Sequence, residues 1–133
     1  MPVLLIMFFL FGQYFQENYT LTVNISHVRP GKGSVNAAIW TDQKTFFKTP
    51  MLSETIKADQ DSIQFVFKLK PGEYAISAYQ DLNNNKKLDQ GLFGIPKEPV
   101  AFGNDFKPKF SSPEFRDCSF RMSENMKMSI VLR

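Results

Sequence analysis

The chain has one cysteine, one histidine and one tryptophan among its 133 residues. A single cysteine, Cys118, forms no internal disulfide, so no cross-link within the chain holds the fold. One histidine and one cysteine are too few ligands for zinc, which takes four. His27 has no identifiable nucleophile as partner, and its expected role is packing or hydrogen bonding at a strand end. No motif activates Ser111 or Ser112. Basic residues outnumber acidic ones 16 to 13, and the lysines form no dense block along the sequence. That excludes the basic stripe of most nucleic-acid binders. No apolar run reaches the ~20 residues of a membrane-spanning helix. There is no amphipathic helical pattern and no internal repeat.

The longest apolar run is residues 2–11, PVLLIMFFLF. Its length fits the apolar region of a secretory signal, although only the amino terminus supplies positive charge before it. The reading is a signal at 1–16 followed by one domain at 17–133. No cysteine follows the run to carry a lipid anchor. The expected destination is the periplasm or the outside of the cell. A domain exported without disulfides has an obvious use for a structural metal.

From Tyr19 the pattern has period two. Tyr19, Leu21, Val23 and Ile25 alternate with polar residues, as on a half-buried strand. Pro30 to Gly33 make a turn, and Val35, Ala37 and Ile39 continue as a second strand, its expected hairpin partner. Residues 42–60 read as a polar connection. Ile63, Phe65, Phe67 and Leu69 alternate again, and Tyr74, Ile76 and Ala78 follow the Lys70-Pro71-Gly72 turn. Short strands around Cys118–Met122 and Met128–Leu132 close the chain. Prolines exclude a long helix from the irregular stretch 90–115. The fold class is therefore all-β, an antiparallel two-sheet sandwich with about seven strands, and the segment LKPGEYAISAYQD resembles the strand-turn-strand of transthyretin-like or immunoglobulin-like sandwiches.

Residues 81–89, DLNNNKKLD, carry the main chemical signal. Calcium prefers six to eight oxygen ligands, and a loop supplies them from alternate positions. Asp81, Asn83 and Asn85 stand at positions one, three and five of such a loop. Lys87 offers its backbone carbonyl at position seven, and Asp89 stands at position nine. Position six is Lys86 where glycine is usual, and position twelve is Leu92 where a bidentate glutamate is usual. Glu98 is the candidate for a further carboxylate brought in by folding. The expected affinity is weak, with a dissociation constant on the order of 10⁻⁴–10⁻³ M. The competing reading is a polar turn whose Asp and Asn side chains cap their own backbone.

Three stretches, PGEYAISAYQDLNNNKKLD, GLFGIPKEPVAFGND and PEFRDCSF, resemble domain-of-unknown-function family 2141, a group of exported bacterial proteins. The resemblance extends over residues 19–133. It implies a secreted β-sandwich and hands over no catalytic residues. The family loop often has glycine where this chain has Lys86.

The aromatic series Phe102, Phe106, Phe110, Phe115 and Phe120 is expected to pin the long loop to the sandwich. Trp40 has the opposite parity to Val35, Ala37 and Ile39, which puts it on an outer face under the long loop or exposes it as a ligand contact. Cys118, in step with Phe120 and Met122, reads as a buried, inert thiol. Paired carboxylates for glycoside hydrolysis need a cleft that so small a strand-built domain hardly offers. The leading functional reading is thus not an enzyme. It is an exported module with a weak Ca2+ loop, binding or scaffolding at the cell envelope. Its partner would be an envelope protein, a glycan or a small ligand. The alternative is a carrier of small ligands, glycans or lipids, with the aromatic loop 102–120 covering a pocket between the sheets.

Overall fold

The structure, a computed structural model, describes residues 17–133; the expected signal segment lies outside the described residues. Eight strands are present: β1 (Tyr19–Ser26), β2 (Ser34–Trp40), β3 (Leu52–Lys57), β4 (Ser62–Leu69), β5 (Gly72–Asp81), β6 (Val100–Phe102), β7 (Ser119–Met122) and β8 (Met126–Val131). Among the described residues there is no α-helix, only short 3-10 turns. The all-β sandwich expected from the alternation is the fold observed.

Two sheets form. One has the order β4-β1-β8, and the other β3-β2-β5-β6, with β7 joining β5 beside β6. Every pairing is antiparallel except β1 with β8. The period-two residues meet between the sheets. Leu21, Val23 and Ile25 of β1 face inward with Phe65 and Phe67 of β4, against Val35, Ile39 and Ile76 of the second sheet. Each such aliphatic side chain, fully buried, contributes roughly 1.5–3 kcal/mol of transfer free energy.

The pairing departs from expectation in three places. β2 is not the hairpin partner of β1, because β1 is flanked by β4 and β8. The 30–33 turn instead carries the chain from one sheet to the other. Residues 42–60 hold a strand, β3, which pairs only with β2. Its residues are exposed or half-buried, so no apolar face betrays it in the sequence. Its Glu54 and Lys57 suit an edge, where charge discourages pairing with another chain. The stretch 90–115 holds β6, only three residues long.

The corner at Lys70–Tyr74 behaves as its sequence suggests. It takes the chain from β4 in one sheet to β5 in the other. The Tyr74 hydroxyl donates to the Lys70 carbonyl at 2.8 Å and pins the crossing.

A second apolar cluster lies on the outer face of the five-stranded sheet. It comprises Ala38, Trp40, Phe46, Ala75, Phe102 and Cys118, with Phe106 and Phe115 packed against it. Trp40 is 7% exposed, so the outer-face placement under the long loop is the one realised. Its Nε1–H donates to the Ser77 hydroxyl at 2.9 Å. Phe102, Phe106 and Phe115 are loop anchors as expected, but Phe110 is fully exposed and anchors nothing. Cys118 is buried, yet it precedes β7 and belongs to this outer cluster, whereas Met122 belongs to the inner core. His27 is exposed at a left-handed φ of 61°, which ends the alternation of β1 at Ser26.

Candidate functional site

The 81–89 loop leaves the end of β5 and is wound around its first residue. Asp81 is buried at 5% exposure. One carboxylate oxygen accepts the Lys86 N–H at 2.7 Å, and the other accepts the Asn85 N–H at 3.2 Å. Those bonds require the chain to curl back tightly. Lys86 does so at a left-handed φ of 65°, and Asn84 at 54°. A lysine therefore adopts the conformation for which glycine is usual at position six, at a cost of roughly 1–2 kcal/mol.

The side chains at alternate positions do meet. The Nδ2 groups of Asn83 and Asn85 each donate to Asp89, on different carboxylate oxygens, at 2.7 Å. Asn85 Oδ1 accepts the Lys87 N–H at 3.2 Å. These donors hold Asp89 below the usual carboxylate range, the Asn85 amide most, then Glu98, then Asn83. Lys87 itself is exposed.

Glu98 is brought in by folding. It is 6% exposed, and its two oxygens accept the Leu82 N–H at 2.9 Å and the Asp89 N–H at 3.1 Å. It thus ties both ends of the loop together. Burial raises its pKa first, and its hydrogen bond with Asp89 adds to that. A neighbouring carboxylate disfavours ionisation of Glu98, and a cation beside the two would favour it. Tyr79 feels the same negative charge: burial first, then Asp81, Glu98 and Asp89, push its phenol up.

The donors are oxygen-rich, which fits a hard cation such as calcium. Asp81 keeps one lone pair free on each oxygen after its backbone bonds. Among the described residues, no three His, Cys, Asp or Glu side chains converge as a ligand set. Amide and carbonyl oxygens would have to make up the shell, which accords with weak affinity.

Two contacts came from distant sequence and had no local signal. The Ser34 hydroxyl donates to Asn84 Oδ1 at 2.9 Å. Gly33, at φ 62°, lies so close to Asp81 that a Cβ there would overlap the Asp81 carbonyl.

Beyond Asp89 the chain forms a small hairpin. Lys97 N–H donates to the Asp89 carbonyl at 2.8 Å, Gln90 bridges Pro96, and Gly91 N–H donates to the Ile95 carbonyl at 2.7 Å. This hairpin walls a cavity of about 480 Å³ on the outer face of the five-stranded sheet. Trp40, Phe47, Tyr79 and Phe102 line it, together with Leu88 from the loop and Pro108 and Pro113 from the far side. No charged side chain lines it. The pocket expected between the sheets is not what forms, because the inner core fills that space.

A family model described as "Uncharacterized protein conserved in bacteria (DUF2141)" matches residues 23–130. The chain belongs to this family. No curated protein and no solved structure matched. Membership in DUF2141 places the chain among bacterial proteins, as the resemblance implied. Among the described residues of this DUF2141 chain, no helix is long and apolar enough to cross a membrane. The matched span runs from within β1 to within β8 and takes in the 81–89 loop and the 90–97 hairpin.

Proposed function

We propose that this DUF2141 chain is a non-catalytic, exported module that binds or scaffolds at the cell envelope, and that its 81–89 loop takes up Ca2+ weakly. The observation that supports it most is the winding of Lys86. Its left-handed backbone turns its N–H onto the first carboxylate of the loop, at a position where the alternating pattern calls for a turn of that hand. Asn83, Asn85 and Asp89 then gather on one side of that turn. On ion uptake the two amides turn over, so that Oδ1 rather than Nδ2 faces the ion beside Asp89.

At ~2 mM calcium and a dissociation constant of ~0.1 mM, binding stabilises the fold by about 1.8 kcal/mol. That is a sizeable share of a marginal domain's stability. Calorimetric titration with calcium tests the assignment. Wild type is expected to bind one ion, and Asp81→Asn with Asp89→Asn to bind none while melting cooperatively. Undiminished binding by the double variant would remove the ion from this loop.

A second reading, a carrier of small ligands, is favoured by the cavity under the long loop. Its size falls within the ~300–1,000 Å³ of ligand pockets. Its uncharged lining suits a neutral ligand. Ser53 lines the cavity from the exposed edge strand β3, opposite Ala38. Ser53→Phe should block uptake of the neutral fluorophore N-phenyl-1-naphthylamine without unfolding the domain. Uptake equal to wild type would reject the cavity as the site.

A further inference from the structure

Three segments distant in sequence close around the mouth of the cavity: 43–51, 90–97 and 106–113. Each contributes lining residues, Phe47 and Pro50 from the first, Gly94 and Pro96 from the second, Pro108 and Pro113 from the third. Two properties set these segments apart from the remaining surface.

The first is apolar exposure. Eight large hydrophobic side chains stand exposed among the described residues, and six are here: Phe47, Met51, Leu92, Phe93, Ile95 and Phe110. Phe93 is 99% exposed and Phe110 101%, with Leu92 at 82%. Phe93 occupies the tip of the 90–97 hairpin in a left-handed conformation, φ 59°. Phe47 stacks on Phe46 and lines the cavity, while Leu92, Phe93 and Phe110 stand almost wholly in solvent. Scattered single hydrophobes need no explanation, but six on the three segments that together wall one cavity mark a contact surface.

The second is charge. The three segments carry five lysines, Lys44, Lys48, Lys97, Lys107 and Lys109, and no acid. The rest of the chain has 11 basic and 13 acidic residues, and five of those acids, Asp42, Asp89, Glu98, Asp105 and Glu114, stand next to these segments in sequence. All five lysines are exposed, and none forms a salt bridge among the described residues. Each of these acids is engaged elsewhere: Glu114 pairs with Arg116, Glu98 is buried at the 81–89 loop, and Asp89 accepts from the Asn83 and Asn85 amides. Asp42 accepts the N–H and hydroxyl of Thr45, and Asp105 is paired with Arg133.

Exposed aromatics and aliphatics at loop tips, ringed by unpaired lysines, complement one kind of partner: an apolar layer beneath an anionic surface. We propose that this face docks on an anionic lipid membrane, with Leu92, Phe93, Ile95 and Phe110 entering the headgroup boundary and the lysines meeting lipid phosphates. Apolar insertion and attraction to anionic lipid then add, as they do for interfacial helices. The proposal does not require calcium, although Leu88 of the 81–89 loop lines the same cavity.

Vesicle sedimentation tests it on residues 17–133, which hold both sheets and both apolar clusters and leave out the apolar run 2–11. Chelator is present throughout, so calcium bridges nothing. Vesicles of phosphatidylcholine mixed with phosphatidylglycerol should pellet the protein, and phosphatidylcholine alone should do so far less. Phe93→Ser with Phe110→Ser should weaken binding about tenfold or more, with an unchanged melt because neither side chain is packed. Lys97→Gln, Lys107→Gln and Lys109→Gln should each weaken it about fivefold, and added salt should do the same. Failure to pellet with anionic vesicles would overturn the proposal, and would do so too if the face proved to be a protein interface. Equal binding to neutral vesicles, or variants that bind like wild type, would overturn it as well.

Discussion

Gly33 and Gly31 offer a controlled test of how the 81–89 loop is held. Both sit in the turn that crosses between the sheets, and both have left-handed backbones, φ 62° and 79°. An alanine at either position meets the same conformational penalty, roughly 1–2 kcal/mol. They differ in space. Nothing lies within 4 Å of a Cβ on Gly31, whereas a Cβ on Gly33 would overlap the backbone carbonyl of Asp81. Backbone cannot swing aside like a side-chain tip. Either the β2–β5 pairing of Ser34 with Asp81 must shift, or the loop must move outward. Overpacking of this kind costs a further 1–3 kcal/mol, roughly. Urea unfolding of the two variants should therefore show Gly33→Ala as the weaker by about 1–3 kcal/mol at an unchanged m-value, or about 4–15 °C in melting temperature. Gly33→Ala should also blunt any calcium response, because Asp81 is displaced, while Gly31→Ala should keep it. Equal losses from the two substitutions would refute the close approach of Gly33 to the loop.

Other outcomes follow from the same packing. Glu98 has a folded-state pKa above its ordinary 4.5. Its contribution to stability is thus complete below that value and is lost as pH rises through the folded one. Asp89 runs the opposite way, its pKa held below 3.8, so its contribution is present above 3.8 and lost as pH falls through the folded value. In chelator, melts from pH 4 upward should show a decline that Glu98→Gln removes, and a decline unchanged in that variant would exclude Glu98 as its source. Burial pushes the Cys118 thiol up to about 12, so it should resist thiol reagents in the native state and react only on unfolding. Rapid native labelling would contradict its place in the outer cluster. Tyr74→Phe deletes the bond to the Lys70 carbonyl and should cost about 0.5–1.5 kcal/mol, read from chemical denaturation. No loss at all would show that the corner is held by packing alone.

The inner core was legible because its signal is local. Leu21, Val23 and Ile25 or Phe65 and Phe67 show their alternation within a single strand. The outer cluster was not, because Trp40, Phe46, Phe102 and Cys118 come from four separate stretches and share no period. β3 was hidden for a different reason: an edge strand exposed on both faces has no apolar alternation to display. The partner of β1 could not be read either, since two alternating segments beside a turn can pair with each other or with strands elsewhere. In the loop, the spacing of Asp81, Asn83, Asn85 and Asp89 and the recruitment of Glu98 were readable, while Ser34 and Gly33 approach from some fifty residues upstream. The lysines looked dispersed along the chain, and only the closure of three loops around one mouth gathers them.

The claim that the loop takes up calcium is tested most directly by melting residues 17–133 in chelator and again with ~2 mM calcium, with magnesium as the control. A stabilisation of about 1.8 kcal/mol corresponds to a rise of roughly 5–10 °C with calcium, and a much smaller one with magnesium, whose rigid octahedral shell suits the amide-rich loop poorly. The same melting temperature in chelator and in calcium would contradict the account and leave DLNNNKKLD a polar turn held by its own hydrogen bonds.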